Sequence, residues 1–204
     1  EQVRFVSLDE PFNFSQIVNF GVKHAQGEHV VLMNNDIEVI NSDWLEAMLE
    51  HSQRSEIGAV GAKLYYPDDT IQHAGIAIGI GSYAGHPHKH VEGGYAGYLN
   101  RLHNIQNVSA VTGAMMMVKR EVYEAVGGFD EHLFKIACND VDVCLRLRNM
   151  GLLTLFTPYA RAYHHESVSR GYEDTPEKQS RFQGAVEAFQ KRHAEALSVG
   201  DPYY

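Results

Sequence analysis

Alternating strand and helix patterns are the feature of this sequence that most restricts its fold. The apolar run "HVVLM" at residues 29–33 has the length of a buried strand, and "FSQIVNFGVKHAQG" before it and "NSDWLEAMLEHSQ" after it have the apolar spacing of helices. A second strand pattern, "IGAVGAKLYY", follows directly. This alternation predicts an α/β fold with a mainly parallel sheet flanked by helices.

The later part of the chain continues the alternation after one interruption. Residues 79–107 are rich in Gly, His and Tyr without a sustained period, which predicts a long loop, often a functional feature. A short strand is predicted at residues 3–8, and the other predicted elements are two strands, "SAVTGAMMMVK" and "LLTLF", and three helices, "REVYEAVGG", "NDVDVCLRLRNMG" and "PEKQSRFQGAVEAFQKRHAEAL". A chain of 204 residues supports one substantial core, so we expect a single domain.

Charge and cysteine content exclude several classes of function. The formal net charge of −9 argues against nucleic-acid binding, which depends on clustered Lys and Arg. No apolar run approaches the roughly 18 residues that a membrane-spanning helix needs. Cys138 and Cys144 lie six residues apart, which on one helix separates their Cα atoms by roughly 9 Å, too far for a disulfide. The natural inference is a reducing compartment.

The strand at residues 29–33 ends on three polar residues, Asn34, Asn35 and Asp36. Ligands of parallel α/β sheets collect just beyond the carboxyl ends of the strands, which is where these residues lie. Asp36 there is a candidate oxygen ligand for a hard divalent cation, and Asn34 a candidate hydrogen-bonding partner of a sugar or ribose. The alternative is that the three residues only form a turn or cap the next helix.

Two later motifs carry further candidate groups. In "CNDVDVCLRLR", Asp140 falls in the first turn of a helix, where the helix dipole stabilises a carboxylate. Asp142 is two residues on and faces elsewhere, so only one of the pair points into a given cleft. In "ARAYHHESVSRG", His164 and His165 follow a strand, and one ring nitrogen is a candidate metal ligand. Taken singly, each motif also has an ordinary structural explanation as a cap or a surface residue.

The order and spacing of these motifs along the chain resemble the family 2 inverting glycosyltransferases with a GT-A fold. The similarity is greatest to the bacterial branch that builds rhamnose-containing and O-antigen-type polysaccharides, and it extends from "FNFSQIVNFGVKHAQGEHVVLMNND" to "HHESVSRG". The resemblance implies a GT-A type, Rossmann-like sheet in a single domain. It also implies transfer of a sugar, with inversion, from a nucleotide-sugar donor, UDP- or dTDP-linked, to a glycan or lipid-linked acceptor.

The resemblance assigns a metal and donor site to the end of the first buried strand. The Asn34–Asp36 segment takes the place of the family's DxD motif, with Asp36 reaching a divalent metal, Mn or Mg, and the donor diphosphate. Asn34, where many members carry an Asp, and Asn35 are then donor-binding residues. His164, five residues before Ser169, matches the histidine that completes the metal site, and His165 is the alternative ligand.

The resemblance also assigns the acceptor chemistry. Asn139 and Asp140 match the family's Glu-Asp pair, which makes Asp140 the candidate general base and Asn139 a substrate-binding residue. An inverting transfer needs such a base to take a proton from the acceptor hydroxyl. Thr112, Gly113 and Ala114 match the small-residue stretch that lines the donor-sugar pocket.

The beginning of the chain leads to an expectation about the whole protein. The start "EQVRFVSLDE" has neither an initiator Met nor a signal peptide, so we expect an excised domain that begins after about the first third of a GT-A domain. Residues 1–171 then form the rest of that domain and residues 172–204 a helical extension packed on it. Weak donor binding and little turnover are expected of such a chain. The expected location is cytoplasmic, with peripheral association at the inner face of the membrane as the alternative.

Two other functions compete with sugar transfer. One is a non-catalytic carbohydrate- or nucleotide-binding module, derived from a transferase by truncation or degeneration. The other is a metal-dependent hydrolase, which needs a two-metal cluster built from Asp36, His164 and the loop histidines. His86, His88 and His90 alternate in "HPHKH", so an extended conformation places them on one face as a rival site for Zn or Ni.

Overall fold

The computed structural model of the chain describes residues 3–165 and 175–204. Its six α-helices in those ranges are α1 (Phe14–His24), α2 (Trp44–Ser52), α3 (Arg120–Ala125), α4 (Asn139–Asn149), α5 (Pro176–Arg192) and α6 (Ala194–Val199). Its strands are β1 (His29–Met33), β2 (Ile37–Val39), β3 (Ile57–Tyr65), β4 (Ile71–His73), β5 (Ala77–Ile78), β6 (Ala84–Gly85), β7 (Gln106–Val108), β8 (Met115–Lys119) and β9 (Leu153–His164). None of the helices in the described ranges is long and apolar enough to cross a membrane.

Seven of these strands form one mixed sheet. Its order is β1-β8-β3-β9-β2, with β4 paired to β3 and β7 paired to β9. The two longest strands, β3 and β9, pair in parallel and form the centre of the sheet. The expected parallel arrangement therefore holds for the central pair, whereas the other pairs among the described strands are antiparallel. Parallel neighbouring strands need a crossover connection, usually an α-helix, between them. No α-helix lies between β3 and β8, and β8 pairs antiparallel to β3.

Helices cover both faces of the sheet, which explains the uninterrupted apolar runs. Val30 and Leu32 of β1 pack into the core that α1, α4 and α5 close, while Val31 packs into the core beneath α2. In β8, Met116 and Val118 face the first core, and Met115 and Met117 face the second. A strand buried on both sides needs apolar residues at every position instead of an alternating pattern.

Residues 34–36 cross the sheet. They are the only residues between β1 and β2, yet these strands stand at opposite ends of the strand order. The crossing begins where the Asn34 N–H donates to the Ala114 carbonyl at 2.9 Å, and it ends where Ile37 pairs with His164 of β9. The polar triplet is thus fixed by backbone pairing on both sides.

The structure corrects several local predictions. Residues 3–8 form no strand, and Phe5 within them is 92% exposed. The predicted strand "SAVTGAMMMVK" is regular only in β8, so residues 109–114 leave the sheet. Residues 79–107 form the expected irregular segment, which contains two 3₁₀ turns, the short strand β6 and the start of β7. β6 pairs with β5, which lies just before the segment. Cys138 and Cys144 are free and buried, as the sequence predicts.

The Asp142 carboxylate holds α4 to the C-terminal helices. It is fully buried and lies 2.8 Å from Arg146, 3.1 Å from Arg192 and 2.8 Å from His193. Burial alone would raise the pKa of Asp142, but His193, Arg146 and Arg192 hold that pKa below its ordinary value. Phe189 of α5 is fully buried in the same core, so α5 packs directly on the sheet domain.

We expect Asp142→Asn to destabilise the protein by about 3–5 kcal/mol, because it leaves the partly buried Arg146 and Arg192 without their carboxylate partner. Because the folded-state pKa is lowered, the carboxylate stabilises the protein fully above about pH 4 and loses this effect as the pH falls further. Denaturant unfolding between pH 7 and pH 2.5 measures both effects. Glu124→Gln, which breaks the half-exposed pair with Arg120, is the matched control and should cost under about 0.5 kcal/mol. Equal costs for the two variants would contradict the assignment.

Candidate functional site

Asp36 and His164 meet at the crossing segment. His164 is the last residue of β9, and its pairing with Ile37 brings its ring beside Asp36, the residue before Ile37. Its Nε2 lies 3.2 Å from Asp36 Oδ1 and 3.3 Å from the Asn34 amide nitrogen. Both side chains of the Asp36–His164 pair are largely buried, at 15% and 11% exposure. Asn35, which lies between Asn34 and Asp36 in the sequence, is exposed.

His165 does not share this position. Its backbone N–H donates to the Asp36 carbonyl at 3.0 Å, but its ring lies 2.9 Å from the Glu38 carboxylate in an exposed pair. The two adjacent histidines therefore point to different environments. His164 is the one that faces Asp36, and Ser169 of the same motif lies outside the described residues.

Gln72 of β4 orients the His164 ring. Its Oε1 lies 2.6 Å from His164 Nδ1, and its amide nitrogen lies 3.4 Å from the His164 carbonyl. The first contact requires a proton on Nδ1, which in a neutral ring leaves the lone pair on Nε2, facing Asp36. Histidines that bind metals are oriented in this way by a partner on the other ring nitrogen. Sequence reasoning missed Gln72, because it lies 92 residues from His164 in the chain.

The residues present fit a divalent cation. Asp36 Oδ1 is buried without a hydrogen-bond donor, and the nearby His164 Nε2 presents a lone pair when the ring is neutral. Two acceptor atoms facing each other at this distance need a proton or a cation between them. Within residues 3–165 and 175–204 no group of three His, Cys, Asp or Glu side chains converges. A cation placed here would have Asp36 and His164 as two ligands, and its other positions would be left for ligand or water oxygens.

Asp140 lies at the start of α4. Its Oδ2 accepts the Gly113 N–H at 3.1 Å, and its Oδ1 accepts the Val141 N–H at 2.9 Å. Burial raises the pKa of Asp140, and the hydrogen bonds from Gly113, Val141 and the Thr112 hydroxyl offset this only in part. A carboxyl whose pKa lies above its ordinary value is a better proton acceptor once ionised. As the sequence predicts, Asp142 points elsewhere, into the ion pairs of α5.

The segment 112–114 joins the two halves of the site. Gly113 bonds to Asp140 through its N–H, and Ala114 bonds to Asn34 through its carbonyl. The Thr112 hydroxyl accepts the Ala114 N–H at 3.3 Å, which fixes the bend where the chain enters β8. A continuous series of contacts therefore runs from Asp140 to the Asp36–His164 pair.

Asn139 is buried, and both polar atoms of its side chain bond within the protein. Its amide nitrogen donates to Ser15 Oγ and to the Ile136 carbonyl, and its Oδ1 accepts the Asp140 N–H at 2.8 Å. The side chain is 4% exposed. The geometry gives Asn139 the role of holding Asp140 at the start of the helix.

A cavity of about 430 Å³ opens beside Asp140. It lies between residues 132–140 and α5, which contributes Arg181 and Phe182 to its wall. Its size suits one or two sugar rings. Asp140 thus lies at the wall of a space that a sugar-sized molecule can enter.

The loop histidines form no common site. His86 Nδ1 lies 3.0 Å from His73 Nδ1, the His88 ring lies 6.1 Å from that of Tyr204, and the His90 ring stacks on Tyr66 at 4.7 Å. Residues 87–90 form turns, so the alternation in "HPHKH" does not place the rings on one face. The rival Zn or Ni site is therefore wrong, and in the described part of the chain the two-metal cluster of a hydrolase is also absent.

Comparison with known proteins identifies the family. The model of "Glycosyl transferase family 2" matches residues 1–127. The chain is 48% identical over its full length to the uncharacterized protein y4gI of Sinorhizobium fredii, and 41% identical over 85% of its length to the O-antigen biosynthesis protein RfbC of Myxococcus xanthus. It spans only 22% and 14% of the lengths of these two relatives.

Solved structures show the same fold at low sequence identity. The mannosyltransferase PcManGT of Pyrobaculum calidifontis, in complex with GDP-Man and Mn²⁺, aligns with 92% of this chain and 46% of its own, at a TM-score of 0.59 and 18% identity. GalNAc-T7, with UDP, GalNAc and Mn²⁺, aligns with 93% of this chain and 37% of its own, at a TM-score of 0.67 and 14% identity. The expected GT-A type of α/β fold is confirmed.

We expect the Asp140 carboxyl to titrate above the ordinary aspartate value of about 3.9, because burial outweighs its hydrogen bonds. NMR titration of the aspartate side-chain carbons measures this directly. Asp43, whose pKa is lowered by its hydrogen bond from Asn41, is the internal control and should titrate below that value. An Asp140 midpoint equal to or below that of Asp43 would contradict the described environment.

Proposed function

The chain belongs to glycosyl transferase family 2, and on that premise we propose that it is the catalytic part of an inverting, metal-dependent transferase. It moves a sugar from a UDP- or dTDP-linked donor to a glycan or lipid-linked acceptor in cell-surface polysaccharide biosynthesis. The O-antigen biosynthesis protein RfbC among its relatives supports this biological setting. Rhamnose is the sugar that the sequence resemblance favours.

The observation that carries the proposal is the Asp36–His164 pair with its unsatisfied carboxylate oxygen. A buried acceptor without a donor costs free energy, so it persists where a ligand supplies the missing partner. A Mn or Mg ion bound by these two residues would neutralise the charge that builds on the departing nucleoside diphosphate. Both structural neighbours are complexes with Mn²⁺, one with GDP-Man and the other with UDP and GalNAc, which supports this choice of ligand.

The remaining residues act on the two substrates. Asn34 and the exposed Asn35 bind the donor from the crossing segment, and Thr112–Ala114 line the pocket of the donor sugar. Asp140 takes the proton from the acceptor hydroxyl as that hydroxyl attacks the anomeric carbon. Asn139 is a positioning residue, since its bonds are made to the protein. Gln72 positions His164 in the same manner.

Donor binding tests the metal site. Isothermal titration of UDP and dTDP should show binding that requires manganese and that weakens at least tenfold in Asp36→Ala and His164→Ala. The matched control is Glu38→Gln, which alters a carboxylate two residues away that faces His165 instead, and it should bind as the unaltered protein does. Manganese-dependent binding that survives unchanged in Asp36→Ala would remove the basis of the proposal.

Asp140→Asn tests the assigned base. We expect nucleoside diphosphate release in the presence of donor and acceptor to fall by about 10²–10⁴-fold, because the amide cannot accept the acceptor proton. Manganese-dependent UDP binding should stay within about twofold of that of the unaltered protein, since Asp140 does not contact Asp36 or His164. Release that is equal in Asp140→Asn and in the unaltered protein would contradict the assignment of Asp140 as the base.

A further inference from the structure

Lys63 is a buried cation for which the proposed function has no use. It lies in the middle of β3, and only 2% of it is exposed. Its ammonium is 3.3 Å from the Gly93 carbonyl and 3.4 Å from the Leu102 carbonyl, and 5.3 Å from the centre of the Tyr65 ring. Within the described ranges no carboxylate forms an ion pair with it. A buried ammonium held by two long bonds to neutral oxygens is poorly compensated for its lost hydration.

The nearest strand adds a second positive charge. Arg161 of β9 is the register partner of Lys63 in the parallel pair. The desolvation of Lys63, and then its repulsion by Arg161, lower the pKa of Lys63 to about 8. Arg161 itself is exposed and makes no side-chain ion pair among the described residues. Neighbouring cations repel each other, so this pairing is unfavourable unless an anion joins them.

These two cations line a cavity of about 440 Å³. One wall is the irregularity in β9, where the pairing with β3 jumps from Gly61–Phe156 to Lys63–Arg161 and residues 157–160 form a bulge. The opposite wall is the loop around Gly93, which packs so closely on Tyr65 that a Cβ there would lie 2.9 Å from the ring and 2.4 Å from the Asp69 carbonyl. A cavity of this size holds a phosphate or a single charged sugar.

The charge of the cavity favours an anion. Among its described lining residues, Lys63 and Arg161 are cationic and Asp43 is the one carboxylate. Asp43 accepts a hydrogen bond from the Asn41 amide at 2.7 Å, and the charge of Arg161 also lowers the pKa of Asp43. Asp43 therefore balances Arg161 in part and leaves Lys63 without a carboxylate partner among the described residues. Tyr65 and Tyr159 supply aromatic surface on which a sugar ring can pack.

We infer that the cavity between β3, β9 and the Gly93 loop binds an anionic oxygen group, phosphate or carboxylate, through Lys63 and Arg161. The site shares no residue with the Asp36–His164 pair or with Asp140. It therefore holds whether or not the proposed sugar transfer is correct. Strongly shifted ionisable groups in clefts are characteristic of binding and catalytic sites.

The test uses two anions in buffer free of divalent cations, which keeps the proposed metal site out of the measurement. Isothermal titration with inorganic pyrophosphate represents the phosphate class, and titration with glucuronate represents a sugar carboxylate. We expect at least one to bind, with affinity reduced at least tenfold in Lys63→Met and at least threefold in Arg161→Gln. The anion that binds more tightly identifies the class of ligand.

Three controls keep the result decisive. Arg148→Gln removes one exposed charge that does not line the cavity, and Asp36→Ala removes the proposed metal ligand; both should bind within about twofold of the unaltered protein. Lys63→Met should melt at or above the original temperature, because it removes an uncompensated buried charge. If that variant does not fold, the exposed Arg161→Gln decides. No binding of either anion, or unchanged binding in Arg161→Gln, overturns the inference.

Discussion

The parallel pairing of β3 with β9 is the interaction on which the rest of the structure depends. β9 also receives β2 and β7, and its last residue is His164. Because β2 can pair only along the end of β9, the Asn34–Asp36 segment has to cross the sheet to reach it. The candidate metal ligands, on opposite sides of that pairing, are thus brought within 3.2 Å by backbone register. The irregularity in the pairing of β3 with β9 opens the cavity at Lys63.

Asp36 and Lys63 are largely buried ionisable side chains that lack full compensation, and both lie where a ligand can supply it. Asp36 Oδ1 has no hydrogen-bond donor, and the Lys63 ammonium has no carboxylate. Each arrangement destabilises the folded protein, because a polar or charged group in a low dielectric has lost its hydration and needs a protein partner to replace it. The two groups have opposite charge and accordingly suit opposite ligands, a cation at Asp36 and an anion at Lys63.

Asp140 and Asp142 show how helix geometry separates two chemically identical side chains. At two residues apart they face different sides of α4. Asp142 is enclosed by Arg146, Arg192 and His193, so its pKa is lowered and it fixes α5 to the domain. Asp140 meets neutral donors, so burial prevails and its pKa is raised beside an open cavity. Asp142 thereby holds in place α5, which forms one wall of the cavity that Asp140 lines.

The sequence by itself determined the features that depend on neighbours in the chain. Apolar periodicity located β1, β3, α2 and α4, helix spacing separated Asp140 from Asp142, and the ordered motifs predicted the family and the residues that the fold brings together. Only the tertiary structure decided the antiparallel course of β8, the role of Gln72 and the pairing of Lys63 with Arg161. These depend on register between segments roughly 90 or more residues apart, or on the absence of a crossover helix. Local periodicity carries no information on either, because register is set by which strands pack together and not by the residues within one of them.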